Sequence, residues 1–388
     1  EVFDQAQQIN IHNWTNTVQE QFSNPYWTLN RQKPISDRNR YEFGGTVKYD
    51  IMEGLSATGR IRYERGDEHW TQNDYASSTA GRDKLGTMKD DHIFSEQTYA
   101  DALLQYNKTW EDTYSLSVTA GGSYTKTKGS NVSLIGYGDT QFAINNGVIT
   151  SGAYYPNKFI PSNYYRLSTG MSLKEKRLNS VFATAQFGYK EGLYVDVSAR
   201  NDWSSALAFT EGVSFFYPSV GASALLNRFI DFGKNVDLFK FRASYSIVGN
   251  DVPIYASNVL YTIGDQGSLV PPSEAPFRTL KPEKTNSLEV GFDGTFFQNR
   301  FDVNVTYYKT NTKNQFFKVS APYESGVKTR YVNAGNIENQ GFEVSLGWRQ
   351  QFTDNFSWST NYNFSYNNNK VIELVDGLAD GLTLRSFC

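Results

Sequence analysis

The residues able to do chemistry are few and scattered. The chain has three histidines, His12, His69 and His92, and one cysteine, Cys388. A lone cysteine excludes an internal disulfide framework, a multi-cysteine zinc site and iron–sulfur ligation within these residues. No Ser-His-Asp spacing, HExxH sequence or phosphate-binding loop occurs, so neither catalysis nor a bound cofactor is expected. His69 has Asp67, Glu68 and Asp74 near it in sequence, a set able to hold calcium or to act as acid and base. An exposed polar segment of mixed charge uses the same residues for solvation alone. Aromatic residues are the other resource. Trp14, Tyr26, Trp27, Trp70, Tyr75, Tyr154, Tyr155, Tyr164 and Tyr165 sit in long polar stretches, where sugar rings stack on such faces and where loop packing uses them equally well. Of these, Trp14, Trp27, Trp70, Tyr154, Tyr155, Tyr164 and Tyr165 are the candidate ligand contacts.

Composition narrows what must hold these residues in place. The 388 residues carry 37 basic and 40 acidic side chains, a net charge of −3, so no nucleic-acid partner is expected. Aromatics make up 15% of the chain, yet mean hydropathy is −0.53. No apolar run approaches the roughly 18 residues of a membrane-spanning helix. The chain is either soluble or meets a membrane as strands.

Period-two alternation runs through most of the sequence. Tyr41, Phe43, Val47 and Tyr49 alternate with Glu42, Thr46 and Lys48; Leu193, Val195, Val197 and Ala199 with Tyr194, Asp196, Ser198 and Arg200; Phe342, Val344, Leu346 and Trp348 with Glu343, Ser345 and Arg349. About twelve such segments occur, each near the roughly 9–11 residues of a tilted membrane strand. Their connections alternate as well. Short links follow Tyr49, Trp110, Tyr189, Phe296 and Trp348, whereas long polar stretches occupy 64–98, 125–179, 248–286 and 310–340. The expected fold is therefore all-β: an antiparallel transmembrane β-barrel segment with short periplasmic turns and long extracellular loops. Tyr49, Trp110, Tyr114, Tyr189, Phe296, Phe301, Trp348 and Phe356, beside the short turns, would form an interfacial girdle. Glu42, Glu289, Asp293, Asp302 and Glu343, with Arg60, Arg62, Lys240 and Arg242, fall on the opposite, lumen-facing positions. A large soluble β protein with an ordinary aromatic core is the competing reading.

Several runs carry a family resemblance. LKPEKTNSLEVGFD (280–293), the segment 301–310 and NAGNIENQGFE (333–343) resemble the later barrel region of TonB-dependent outer-membrane transporters, most closely the SusC/RagA class. VSARNDWSS (197–205), FYPSVGASALL (216–226), FRASYSIVGN (241–250) and FSYNNNKVIEL (364–374) match that class in the same order. After Ser204 and Ser205 the class usually continues with Arg and Phe; this chain has Ala206 and Leu207. The resemblance implies an outer-membrane location in a Gram-negative bacterium. It also implies import of oligosaccharides or peptides, a SusD-like surface lipoprotein as partner, and energy from the TonB complex through an N-terminal part outside these residues. Physically, Gly335 and Gly341 mark a loop-to-strand junction where the backbone turns or passes close to a neighbour, the adjacent asparagines bond local backbone, and Pro282 opens a strand near the rim.

The expected organisation is an extracellular loop or preceding barrel segment over 1–40, a transmembrane barrel portion over 41–374, and a tail or next loop over 375–388. The whole reads as an internal piece of a larger barrel. A passive porin and a soluble or surface-bound carbohydrate-binding β protein stand as the alternatives.

Overall fold

The computed structural model describes residues 2–4, 9–11, 25–76, 86–137, 144–145, 148–149, 155–165, 167–208, 210, 212–258, 261–263, 268–276 and 281–373. Among them are one short helix, α1 (Pro25–Arg31), and twelve long strands. In chain order these are β1 (Gln32–Met52), β2 (Leu55–Asp74), β3 (Thr87–Trp110), β4 (Tyr114–Gly136), β5 (Leu167–Tyr189) and β6 (Leu193–Ser204). They continue as β7 (Ser214–Leu225), β8 (Val236–Asn250), β9 (Glu283–Phe296), β10 (Phe301–Ser320), β11 (Thr329–Thr353) and β12 (Phe356–Glu373). Each pairs with its neighbours in sequence, an uninterrupted meander, and the two-residue strand Glu274–Ala275 adds to β11 in parallel.

All twelve alternating segments form strands, but the strands run further than the alternation. β1 begins at Gln32 rather than Tyr41, and β2 and β3 take in most of 64–98, a stretch expected to be loop. β4 and β5 likewise extend into 125–179, and β10 and β11 cover all but 321–328 of the stretch 310–340. The cause is that a ladder is held by backbone hydrogen bonds, which water does not forbid; only lipid requires one apolar face. Beyond the apolar zone both faces are polar and the pattern vanishes while the strand continues.

The strand register sorts residues into rows. Phe187, Val195, Ala222, Ala243, Val290, Tyr307, Phe342 and Tyr366 lie opposite one another from β5 to β12. One residue along, the row is Gln186, Asp196, Gly221, Ser244, Glu289, Tyr308, Gly341 and Asn367. One face is thus apolar and the other polar, as lipid outside and water inside require. Among the described residues nothing covers this apolar face: Val197, Phe216 and Val290 are 50, 57 and 44% exposed. An aqueous surface does not carry so broad an apolar patch.

The tight connections 53–54, 111–113, 190–192, 297–300 and 354–355 all fall at one end of the meander, together with 226–235. Glu111, Asp112, Lys190, Glu191, Phe297, Gln298 and Asn299 adopt positive φ there, as such short turns demand. Gly54 is required at its turn: φ is +76°, and a Cβ would sit 2.3 Å from the Asn107 carbonyl oxygen. Rings meet in series beside these turns. Tyr114 lies 5.2 Å from Tyr189, Tyr189 6.2 Å from Phe229, Phe296 6.4 Å from Phe301, and Phe301 6.0 Å from Trp348. Five residues of the expected girdle, Tyr114, Tyr189, Phe296, Phe301 and Trp348, stand in this series, joined by Phe229.

Two compact units divide the residues. One comprises Gly45–Ile61, Ala100–Thr125 and Lys176–Cys388, the other Glu1–Gly44, Arg62–Tyr99 and Lys126–Glu175. The first holds the rows, turns and girdle just described. The second is polar strand with a small aromatic core of its own.

Candidate functional site

The polar face of the first unit carries a series of hydrogen-bonded and ion-paired clusters. Arg242 on β8 pairs with Glu289 on β9, lies 3.5 Å from Asp293, and donates from Nη2 to Thr306 Oγ1 on β10 at 2.6 Å. Asn304 donates to Asp293, Arg349 on β11 pairs with Asp302, and Thr295 donates to Asp302 at 3.2 Å. Toward β5, Arg200 reaches Asp202 at 2.7 Å and Ser180 at 2.9 Å, and Ser198 and Ser219 share a 2.6 Å hydrogen bond. Small residues make room for these side chains: Arg242 lies flat over Gly291, where a Cβ would come within 2.6 Å of its Cζ. A shallow recess of about 230 Å³ between Asp196, Lys240, Arg242 and Glu289 opens on this face.

At the loop end of the same unit the DWSSAL sequence acquires a physical role. Ser204 caps a single 3₁₀ turn by accepting from the Ala206 amide, and its hydroxyl donates to Asp251 at 2.6 Å. Lys176 pairs with Asp251 at 2.6 Å. Leu207 is fully buried with Ala206, Val252 and Ala256, against Phe215, Phe316 and Tyr331. The two residues that depart from the SusC/RagA pattern are therefore the apolar core of this loop junction. Beside it a cleft of about 290 Å³ is walled by Tyr255, Pro271, Pro272, Glu274 and Tyr331. Lys318 pairs with Glu274 and lies 5.8 Å over the Tyr331 ring. That hydrogen bond holds the Lys318 ammonium pKa above its ordinary value, and burial, reinforced by Glu274, raises the Tyr331 phenol. The cleft thus offers flat apolar walls with a charged pair at one end.

Gly335 does take φ +80°, and a Cβ on Gly341 would meet the Tyr366 carbonyl oxygen at 2.2 Å. Both lie within β11 rather than at a loop-to-strand junction. Asn333 fixes the incoming chain by exchanging hydrogen bonds with Lys281 at 2.7 and 2.8 Å and donating to the Asn314 carbonyl at 2.8 Å.

The candidate ligand aromatics separate on inspection. Trp27, in α1, and Tyr164 are 4 and 5% exposed. They belong to the packing of the second unit, where Tyr164 rests with Met88 against Leu134 and Phe159, Phe159 meets Tyr75 edge-on at 5.0 Å, and Arg31 lies over Trp27 and Tyr75. Trp70 stands in β2, half-buried, not in a loop. Tyr155 and Tyr165 are 64 and 45% exposed, on a segment knotted by Asn163, which accepts from the Tyr155 amide and donates to the Tyr155 and Lys158 carbonyls. Trp14, Tyr154 and His12 lie outside the described residues.

His69, Asp67, Glu68 and Asp74 do not converge. Asp67 pairs with Arg65, Glu68 with Ser36 and Arg38, and Asp74 accepts from Gln72, while His69 faces Asp90 and His92. The strand pairing, which brings position 69 beside 90, carries this information, and the sequence hint was only the Asp-x-His spacing on one strand.

Residues 3–385 match the family model described as TonB dependent receptor-like, beta-barrel. TonB-dependent receptor P3 of Formosa agariphila is 26% identical over 371 residues, 93% of this chain and 36% of that protein. TonB-dependent receptor SusC of Bacteroides thetaiotaomicron is 28% identical over 137 residues, 34% of this chain and 14% of that protein. Among solved structures, the RagAB peptide importer in its 'open-open' state superposes with a TM-score of 0.76 at 19% identity, covering 96% of this chain and 40% of that one. The ferric-catecholate import receptor Fiu of E. coli superposes with a TM-score of 0.54 at 12% identity, covering 88% of this chain and 48% of that one. The chain thus spans about a third of the curated relative it matches over most of its length. It belongs to the TonB-dependent receptor-like β-barrel family, a family of transporters and receptors, and its place is the outer membrane of a Gram-negative bacterium.

Proposed function

We propose that these residues form part of the wall and outer loops of an importer that takes up oligosaccharides or peptides, working with a SusD-like surface lipoprotein and energised by the TonB complex. The observation that carries this reading is the two-faced meander. An uncovered apolar face accounts for lipid, and the opposite face presents the hydrated Arg242–Glu289–Asp293 network along which a polar solute moves. The cleft between Tyr255, Tyr331 and the paired prolines is the first contact for a sugar ring or an amino-acid side chain, with Glu274 accepting its hydrogen bonds. In the other unit the exposed Tyr155 and Tyr165 are a separate pair of rings open to a solute, whereas Trp27 and Tyr164 are buried there. The protein acts as a carrier rather than an enzyme.

Growth and uptake in the native organism test this. Deletion of the gene is expected to abolish uptake of either labelled oligosaccharides or labelled oligopeptides, and dissipating the proton gradient is expected to do the same in the wild type. Uptake that persists without energy would identify a passive porin instead. Copurification of a surface lipoprotein with the full-length protein is expected; a receptor that transports without one would remove that partner from the account.

A further inference from the structure

We propose that His69, Asp90 and His92 form a binding site for a divalent transition-metal ion of the zinc type on the paired strands β2 and β3. The ligands come from two strands. His69 stands on β2, and Asp90 and His92, two residues apart on β3, project from one face. His69 Nε2 lies 2.9 Å and His92 Nε2 3.3 Å from the same oxygen, Asp90 Oδ1. The two imidazoles stack with centroids 4.3 Å apart and planes 16° from parallel. All three ligand atoms fall within 4.8 Å of one another.

Zinc held tetrahedrally at about 2.1 Å by each ligand sets ligand-atom separations of about 3.4 Å, so the two N···O pairs must open by about half an ångström or less. The stacked rings must also turn about their χ angles, so that each ring plane meets the ion. His69, Asp90 and His92 side chains are 44, 34 and 51% exposed, which leaves an approach from water and room for a solvent ligand in the fourth position. Two imidazole nitrogens and one carboxylate select zinc, copper or nickel; calcium and magnesium ask for more oxygens than the site supplies. The neighbouring carboxylates do not supply them, because Asp67 is bound to Arg65 and Glu68 to Ser36 and Arg38. Without a metal the same atoms form a cross-strand hydrogen-bonded pair. With one, the ion joins β2 to β3 and offers an open coordination position to solvent.

The full-length receptor, purified in detergent and stripped with chelator, is dialysed against graded zinc chloride and its bound zinc counted by atomic emission. Wild type is expected to hold one equivalent more than the H69A/H92A double variant, and Asp90→Asn to weaken that equivalent by at least about tenfold. Heat-modifiable mobility on gels verifies folding of each variant. Cobalt(II) titration of the wild type is an independent readout and is expected to give the visible absorption of a four-coordinate nitrogen and oxygen site. Equal zinc content in wild type and H69A/H92A, an absence of that cobalt spectrum, or displacement of the zinc by equimolar calcium would overturn the assignment.

Discussion

Val290→Arg separates a lipid-facing wall from a water-facing one. Val290 lies in β9, six residues from the turn-side end Phe296, between Ala243 and Tyr307 in the apolar row. At about 3.3 Å per residue and a strand tilt near 40°, it stands roughly 15 Å above that end, close to the middle of an apolar band about 25 Å tall. Its side chain is 44% exposed, so arginine fits without overpacking and the cost is one of environment. A guanidinium at that depth in lipid costs about 2–4 kcal/mol. The same change on a water-exposed strand stays within about 0.5 kcal/mol. Ser244→Arg is the matched control: Ser244 is exposed on the polar face, in register with Glu289, and its variant is expected within about 1 kcal/mol of wild type. Denaturant titration of the full-length receptor refolded into lipid vesicles measures both. A neutral Val290→Arg, or equal losses for the two variants, would refute the assignment of faces.

Three further perturbations follow from individual contacts. Arg242→Ala leaves Glu289 and Asp293 without their shared cation, at an expected loss of about 2–3 kcal/mol, and adding Glu289→Gln restores at least about 1 kcal/mol of it; strict additivity in that cycle would show that the pair is not coupled. Asn163→Ala removes the hydrogen bonds to Tyr155 and Lys158, worth about 1–3 kcal/mol locally, so trypsin should cut faster at Lys158 while the melting of the strands is unchanged. Hydrogen bonds from Ser36 and then Arg38 hold the Glu68 carboxyl below its ordinary 4.5, so its stabilisation of the β1–β2 pair is present above about 4.5 and is lost as pH falls through the lowered value. Amide protection factors around Ser36 and Glu68, taken relative to the intrinsic exchange rate at each pH, should fall on acidification below that point in wild type but not in Glu68→Gln; identical profiles would remove Glu68 from the account.

Lipid made the spans legible. Phe342, Val344, Leu346 and Trp348 must share one face wherever a bilayer touches the strand, and the alternation of short and long connections then gives the meander. The outer strands were not legible, because from Glu64 to Asp74 and from Thr87 to Thr98 polar residues occupy both faces and no period of two is imposed. For the same reason Trp70 read as a loop residue though it stands in β2. Trp27 and Tyr164 illustrate a second limit: residue type alone does not distinguish a ring that packs from one that binds, and burial decides it. Leu207 is a third case, since an apolar residue replacing the class's aromatic gains meaning only once Val252 and Ala256 are seen to close over the turn. Partners far apart in sequence, such as His69 with Asp90 or Glu274 with Lys318, depend on strand register and loop path, neither of which is a local signal.

Single-cysteine labelling along β10 tests the two-faced wall most directly. In the full-length receptor carrying Cys388→Ser, cysteines are placed in turn at 302, 303, 304 and 305, and each is exposed to a membrane-impermeant sulfonated thiol reagent and to a lipid-partitioning one. Positions 302 and 304 are predicted to react with the aqueous reagent, and 303 and 305 only with the lipid-soluble one. Aqueous labelling of 303 and 305 with protection of 302 and 304, or labelling with no period of two, would contradict the account.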